Sequence, residues 1–240
     1  MTMSVQSRYQ SYVSDQRQFF DELITEDWDS YKSELWDQTR RFEIAELFKL
    51  IQPRTIIDIG CGVGFHDQEM AKYPFVTLVD AIDPSVASIE KAEQHFPHPK
   101  VTRWVGGFDE LSSNKKYDLA ISFQVFEHLN EPERYLLKMT EIVSPEGYVA
   151  IVMPNRTRLS NALRRLRGLE PELLDVMHFR EYSVSQTYDI GKKCGLTPFA
   201  SFGYGLHGHK HIDRLSWSTR LKLGRLLPSL AHGICVILKN

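Results

Sequence analysis

Three cysteines, Cys61, Cys194 and Cys235, are all that 240 residues offer. They are odd in number, far apart and without metal-ligand spacing. That excludes a disulfide framework or a cysteine-zinc module and suits a reducing cytosol. A surplus of either charge is also missing: 29 Lys and Arg face 31 Asp and Glu, a formal net charge of -2. Without a basic excess there is no global electrostatic reason to bind nucleic acid. No apolar run approaches the roughly 20 residues that cross a bilayer. The opening "MTMSVQSRYQSYVSDQRQFF" lacks the apolar core of a signal peptide. Internal repeats and low-complexity tracts are absent too. These absences lead to the expectation of a soluble, cytoplasmic chain. What is present is 42% hydrophobic residues, ample for one buried core, in a length that suits a single α/β domain.

The middle of the chain alternates short β-branched runs with longer amphipathic ones. "TIIDI", "FVTLVDAID", "KVTRWV", "YDLAISF" and "GYVAIVM" read as five strands, with a helix-like "HDQEMAKY" after the first. "SVASIEKAEQHF" reads as a second helix with Ser85 as its N-cap. "EPERYLLKMTEIV" places Leu136, Met139, Ile142 and Val143 on one helical face. Strands alternating with helices imply a parallel sheet with right-handed crossovers. After Met153 the alternation is interrupted by a long segment. It resumes with the helix "VSQTYDIGKKCG", where Gly195 is the C-cap, and the strand "TPFASFGYG". A basic helix at 215–227 and a last strand "GICVILK" close the chain. Residues 1–54 read as helical and aromatic, with Tyr9, Tyr12, Phe19, Phe20, Trp28, Tyr31 and Trp36. They pack on the sheet, dimerise or roof a ligand pocket.

"IIDIGCGVGFHDQE" carries the most information. Asp58 lies at the end of a strand, and Gly60, Gly62 and Gly64 make a tight strand-to-helix turn that brings backbone close to a ligand. In an open parallel sheet such a turn lies at the carboxyl edge, where ligands bind. A dinucleotide fingerprint, G-x-G-x-x-G, would need glycine at position 65, which is Phe65. One strand later, "VDAIDPS" ends in Asp83, at the distance where a carboxylate accepts from both ribose hydroxyls, with Pro84 after it. Asp80 lies inside that run and reads as a capping or turn residue.

The pattern G-x-G-x-G after an acidic residue resembles motif I of the class I S-adenosylmethionine-dependent methyltransferases. "EHLNEPERYLLKMTEIVSPEGYVAIVMPN" is similar to that family's stretch after strand four, with its P-x-G turn at Pro145, Glu146 and Gly147. "RRFEIAEL" resembles the R-x-x-x-I-A-E segment of the subgroup that holds ubiquinone-biosynthesis O-methyltransferases and sugar and natural-product methyltransferases. The resemblance covers roughly residues 38 to 200. It implies a Rossmann-like α/β/α fold with a mostly parallel seven-stranded sheet and an antiparallel last strand. It implies S-adenosylmethionine as cofactor, held by Asp58, Gly60, Cys61, Gly62, Gly64, Asp83 and Pro84, with Arg40 on the methionine carboxylate. Gln124 sits on the cofactor side of strand four. The family's acidic residue after strand three is Gly107 here, so Phe108 packing on the adenine, or Asp109 from a shifted turn, takes its place. Cys61 is also simply a small packing residue.

Methyl transfer to a hydroxyl needs a base beside the acceptor. His128, at the end of strand four, comes first, with Glu127 beside it, and His178 in "VMHFREYS" second. The subgroup carries E-x-x-E-H at this corner and in some members holds a divalent metal there. Here Gln124 stands first, and an amide is a poor ligand for a hard cation, so no metal is expected. His207, His209 and His211 alternate and would share one face if extended, but a polar loop is the preferred reading. Arg156, Arg158, Arg164, Arg165 and Arg167 run without an acidic residue. They are a solvated face, a lid for an anionic or phosphorylated acceptor with Arg156, Arg164 and His207 contacting it, or a membrane-surface patch.

The expected organisation is one domain over 1–240. It divides into an N-terminal helical cap (1–54), a cofactor-binding core (55–154) and an acceptor-side insertion with the C-terminal strands (155–240). The expected partner is a small-molecule acceptor, with no nucleic acid, and the chain is a monomer or homodimer. A non-catalytic scaffold of the same fold and a protein or RNA methyltransferase are the alternatives. No N/D-P-P-[YF] motif for planar nitrogen acceptors follows strand four, where "FQVFEH" stands.

Overall fold

The computed structural model describes residues 17–22, 24–25, 33–112 and 114–240. Of the N-terminal aromatics named above, Tyr9, Tyr12, Trp28 and Tyr31 lie outside the described residues. Residues 17–22 are helical, followed by α1 (Glu34–Leu50). Then come β1 (Thr55–Ile59), α2 (Phe65–Ala71), β2 (Leu78–Asp83), α3 (Val86–His95) and β3 (Val101–Val105). β4 (Tyr117–Phe123), α4 (Pro132–Ile142) and β5 (Val143–Pro154) complete the alternation. α5 (Leu159–Leu166), α6 (Val184–Lys193), β6 (Thr197–Tyr204), α7 (Trp217–Leu226) and β7 (Gly233–Lys239) follow.

The seven strands form one sheet in the order β3-β2-β1-β4-β5-β7-β6. β1 to β5 pair in parallel, and β7 runs antiparallel to both β5 and β6. The expected fold is therefore present, and two cores explain its three layers. One face packs Tyr135, Leu136, Met139 and Ile142 of α4 and Ile190 of α6 on Ile57, Ala120 and Ile151. The other packs Ile44, Leu47 and Phe48 of α1, Met70 of α2 and Leu221 of α7 on Ile56, Leu119 and Val152. Because both faces are covered, the central strands are near-continuous apolar runs rather than alternating ones.

Local chemistry sets the boundaries. The Ser85 hydroxyl accepts from the Ser88 amide at 3.0 Å and caps α3. Gly195 follows α6 at φ +84, closing it with a bond from the Leu196 amide to the Gly191 carbonyl at 3.0 Å. Two expectations change. Val143 is not on the helix face but opens β5, paired with Tyr117. Asp80 neither caps nor turns: it is buried in β2 and accepts from the Tyr117 hydroxyl at 2.6 Å and from Lys115.

The strand order reverses direction between β1 and β4, so their crossovers leave on opposite faces. In open α/β sheets the crevice at the carboxyl ends of two such strands is where ligands bind.

Candidate active site

The glycine turn occupies one side of this crevice. Gly60, Gly62 and Gly64 all sit at positive φ (+82, +53 and +84), where a side chain would be strained. The Gly60 and Cys61 amides donate to the Ile82 carbonyl at 2.7 and 3.1 Å, tying the turn to β2. The Gly62 amide donates to Asp83 Oδ2 at 2.8 Å, and the Ser85 amide to Oδ1 at 2.9 Å. A Cβ at Gly62 would meet nothing within 4 Å, whereas one at Gly64 would lie 2.7 Å from the Ala92 methyl. The middle of the turn thus faces open space and its end faces protein.

Asp83 is buried, and burial raises its pKa against the two amides that stabilise the carboxylate. Those amides occupy two of about four lone-pair sites, which leaves acceptor capacity for a ligand. Asp58 is fully buried with no partner on either oxygen among the described residues, and burial pushes its pKa up. Cys61 packs with Ala81 and Ile89, as its reading as a packing residue requires, and burial raises its thiol. Pro84 links Asp83 to the Ser85 cap.

Two supports of the turn were missed in the sequence. Arg103 of β3 and Asp67 in the first turn of α2 form a buried bidentate pair, Nε and Nη2 each 2.8 Å from a carboxylate oxygen. Arg103 also donates to the Phe96 carbonyl at 2.7 Å. The pair clamps the helix that begins at the turn against β3. Only the presence of an acidic residue in that first turn signalled it.

Arg40 of α1 is buried with its guanidinium 5.2 Å from the ring centroid of Phe65, the residue that follows the turn. Beyond β3, Phe108 meets the ring of Tyr135 edge-on at 5.1 Å, with the Arg134 guanidinium 5.7 Å from it. Asp109 is exposed and paired with Arg134 at 2.8 Å. Gln124 closes β4 at φ +56 and donates from its amide to the Tyr204 hydroxyl at 2.9 Å.

The corner after β4 lies across the crevice. Glu127 is fully buried, neither of its oxygens has a hydrogen-bond partner among the described residues, and burial pushes its pKa up to about 8. His128 pairs Nδ1 with the Met177 carbonyl at 3.0 Å. Since a carbonyl only accepts, that nitrogen carries the proton and Nε2 is free of it. Burial, with His178 nearby, lowers the His128 pKa to about 4. The two imidazoles are 4.9 Å apart and perpendicular. One ligand-capable atom each of Glu127, His128 and His178 lies within 4.8 Å of the other two. A carboxylate with two imidazoles is a donor set that can hold a divalent cation or move a proton.

The N-terminal segment reaches both sides of the crevice. Phe20 meets His128 edge-on at 5.6 Å, and Asp21 accepts from the Ser85 hydroxyl. Of the earlier alternatives for residues 1–54, α1 packs on the sheet, and Phe20 and Asp21 touch the corner after β4 and the end of β2.

The acceptor-side residues are more dispersed. Arg158 does not face outward: it is buried and paired with Glu181. Arg164 pairs with Glu172 at 2.8 Å, and Arg156 lines a surface cleft of ≈ 390 Å³ with Arg165 and Glu170. The acidic partners missing from the sequence run thus arrive from later in the chain. His207 lies in the irregular stretch after β6, 2.7 Å from Asp213 and beside Arg220. The structure brings it together with neither Arg156 nor His178, and the three alternating histidines form no shared metal group among the described residues.

Comparison with known proteins gives this geometry its relatives. A methyltransferase domain model matches residues 29–199, well over half of the chain. The chain belongs to the methyltransferase domain family. Among solved methyltransferases, the magnesium protoporphyrin IX enzyme of Synechocystis, with bound S-adenosyl-L-homocysteine, superposes with a TM-score of 0.66. It is 15% identical, over 95% of this chain and 99% of that one. The N-methyltransferase NodS of Bradyrhizobium japonicum, also with S-adenosyl-L-homocysteine, gives 0.61 at 14% identity over 93% and 97%. At these identities the likeness is one of fold.

By sequence, similar relatives are ubiquinone biosynthesis O-methyltransferases, the subgroup anticipated above. That of Rickettsia akari is 32% identical over 111 residues, 45% of this chain and 43% of the relative. The mitochondrial one of Schizosaccharomyces pombe is 29% identical over 170 residues, 66% and 61% of the two chains. The chain thus spans less than two thirds of the length of the curated relatives it matches. Among the described residues no helix is long and apolar enough to cross a membrane.

Proposed function

We propose that this chain transfers a methyl group from S-adenosylmethionine to a hydroxyl oxygen of a small molecule. The acceptor is a sugar or cell-envelope glycoconjugate, a quinone or a natural product. One observation carries the reading: a glycine turn bonded to Asp83 and a His128–His178 pair line the same carboxyl edge of the sheet. The open space over Gly62 and the spare acceptor capacity of Asp83 fit a nucleoside with two ribose hydroxyls. Arg40, beside Phe65, suits a carboxylate, and Phe108 offers an apolar face for an adenine. Asp58 and Gly60 shape the floor.

S-adenosylmethionine supplies an already activated methyl group, so the protein's work is alignment, exclusion of water and removal of one proton. Phe20, over His128, helps exclude water. The His128–His178 pair receives the proton. With its pKa held near 4, His128 is a weak base at neutral pH and better suited to positioning the acceptor. His178 then takes the proton, the reverse of the order the sequence suggested. Arg156 and Arg164 line two separate outer clefts whose arginines suit an anionic acceptor, while His207, held by Asp213, lines neither. The O-methyltransferase relatives support oxygen as the target atom.

The test is incubation of the protein with methyl-labelled S-adenosylmethionine and a small-metabolite extract, read by mass spectrometry. Label in a methoxy group of a small molecule is the expected result. Label confined to protein or RNA would overturn the reading.

A further inference from the structure

His178 is held by more than its place in a loop. The amides of its neighbours Phe179 and Arg180 both donate to the Glu127 carbonyl, at 2.8 and 3.1 Å, pinning the loop to the corner after β4. Its ring Nδ1 lies 3.1 Å from Oε1 of Glu181. The Glu181 side chain is fully buried, and its carboxylate also takes the Arg158 guanidinium and the Leu174 amide. Arg158 in turn donates to the Asn155 carbonyl at 3.3 Å and to the Glu172 carbonyl at 2.5 Å. Asn155, just past the end of β5, is fixed by three carbonyls, of Pro228, Ser229 and Ala231, at 3.0–3.3 Å. A continuous line of buried polar groups therefore runs from the central sheet to one imidazole.

Packing alone does not call for this line. Burying an arginine and a glutamate costs desolvation that an apolar pair of the same volume would avoid. What the charges add is direction. A carboxylate accepts only, so the ring nitrogen facing it must carry the proton, and in the neutral ring the other nitrogen is left bare. Glu181 reaches that state with its carboxyl ionised: burial opposes the charge, but His178, the Leu174 amide and Arg158 outweigh it and hold the pKa below the ordinary value.

We propose that Glu181, braced by Arg158, is a positioning residue that fixes His178 in the Nδ1–H tautomer and presents its bare Nε2 to the crevice beside His128 and Glu127. In the part that rests on methyl transfer, Nε2 is the atom that accepts the acceptor's proton. There the acceptor oxygen forms the new C–O bond, the donor C–S bond breaks with its electron pair staying on sulfur, and the O–H proton passes to Nε2. The imidazolium that results faces the Glu181 carboxylate through Nδ1–H, which stabilises it.

The experiment is long-range ¹H–¹⁵N correlation spectroscopy of the full chain labelled at histidine, with His178 assigned by its loss in His178→Gln. The wild type should show His178 as the Nδ1–H tautomer. Glu181→Gln, which keeps the volume, and the Arg158→Met/Glu181→Leu double variant, which leaves no orphaned charge, should both show a mixture or the Nε2–H form. An Nε2–H signal in the wild type, or an unchanged tautomer in both variants, would overturn the proposal. This reading needs no turnover, so it stands or falls apart from the methyltransferase assignment. Where turnover is found, Glu181→Gln should lower kcat about 10- to 100-fold with KM and cofactor affinity unchanged. Zinc or iron retained by the purified protein with His178 Nε2 as its ligand would overturn the base role.

Discussion

The Gly62 amide donates to Oδ2 of Asp83 across 2.8 Å, so the middle of the glycine turn and the tip of the second strand act as one unit. Asp83 thereby does two things: it fixes the turn and offers its remaining lone pairs to the crevice. Asp83→Ala should weaken S-adenosylmethionine binding about 100-fold, the loss of two charge-assisted hydrogen bonds. Asp83→Asn keeps the size and one acceptor and should fall between. Isothermal calorimetry on both variants, with circular dichroism to confirm folding, checks the order.

Two glycines in one turn should fail in different ways. At Gly62 a methyl group projects into open space, so Gly62→Ala should cost only the 1–2 kcal/mol of a left-handed residue, roughly, while obstructing the ligand. At Gly64 the methyl group collides with Ala92 and crowds Arg103, so Gly64→Ala should chiefly destabilise the fold. Thermal unfolding and cofactor affinity, measured on the same two proteins, separate the cases.

The Asp67–Arg103 pair holds the start of α2, and both side chains are buried. Arg103→Ala leaves the Asp67 carboxylate without its partner and should cost about 3–5 kcal/mol in denaturant unfolding. Replacing both with apolar residues, Asp67→Leu and Arg103→Met, should recover most of that stability.

Glu127 gives the protein a pH signature. Its folded pKa is about 8, above the 4.5 of the free group, so the folded state holds a proton that the unfolded state releases as pH rises. Stability therefore falls as pH rises from about 5 to 8, by at most about 1.4 kcal/mol per pH unit from this group. Glu127→Gln removes that slope. Its melting temperature relative to wild type should rise steadily from pH 5 to pH 8 and then level off.

The two histidines should separate by role. His178→Gln and His128→Ala should both leave cofactor affinity intact, with the larger loss of turnover in His178→Gln. An equal or larger loss in His128→Ala would return the base role to His128.

The strands, the glycine turn and Asp83 were legible because each is local. A β-branched run, a left-handed position or a carboxylate closing a strand announces itself within a few residues. What the sequence did not show are partners brought together by the fold. Glu181 meets Arg158 across 23 residues, and Arg103 meets Asp67 across 36. Arg158 looked like part of a solvated basic run because its acid lies on the far side of a loop. Glu127 and His128 were visible as a polar corner, but the third group beside them, His178, lies 50 positions on. Asp80 was misread for the same reason: its partner, Tyr117, is on another strand.

The central claim is that this crevice is a site for S-adenosylmethionine. Calorimetric titration of the wild-type chain with S-adenosylmethionine and, separately, with NAD tests it most directly. The account predicts saturable one-to-one binding of S-adenosylmethionine, weakened in Asp83→Ala, and no binding of NAD. Binding of NAD alone would contradict it.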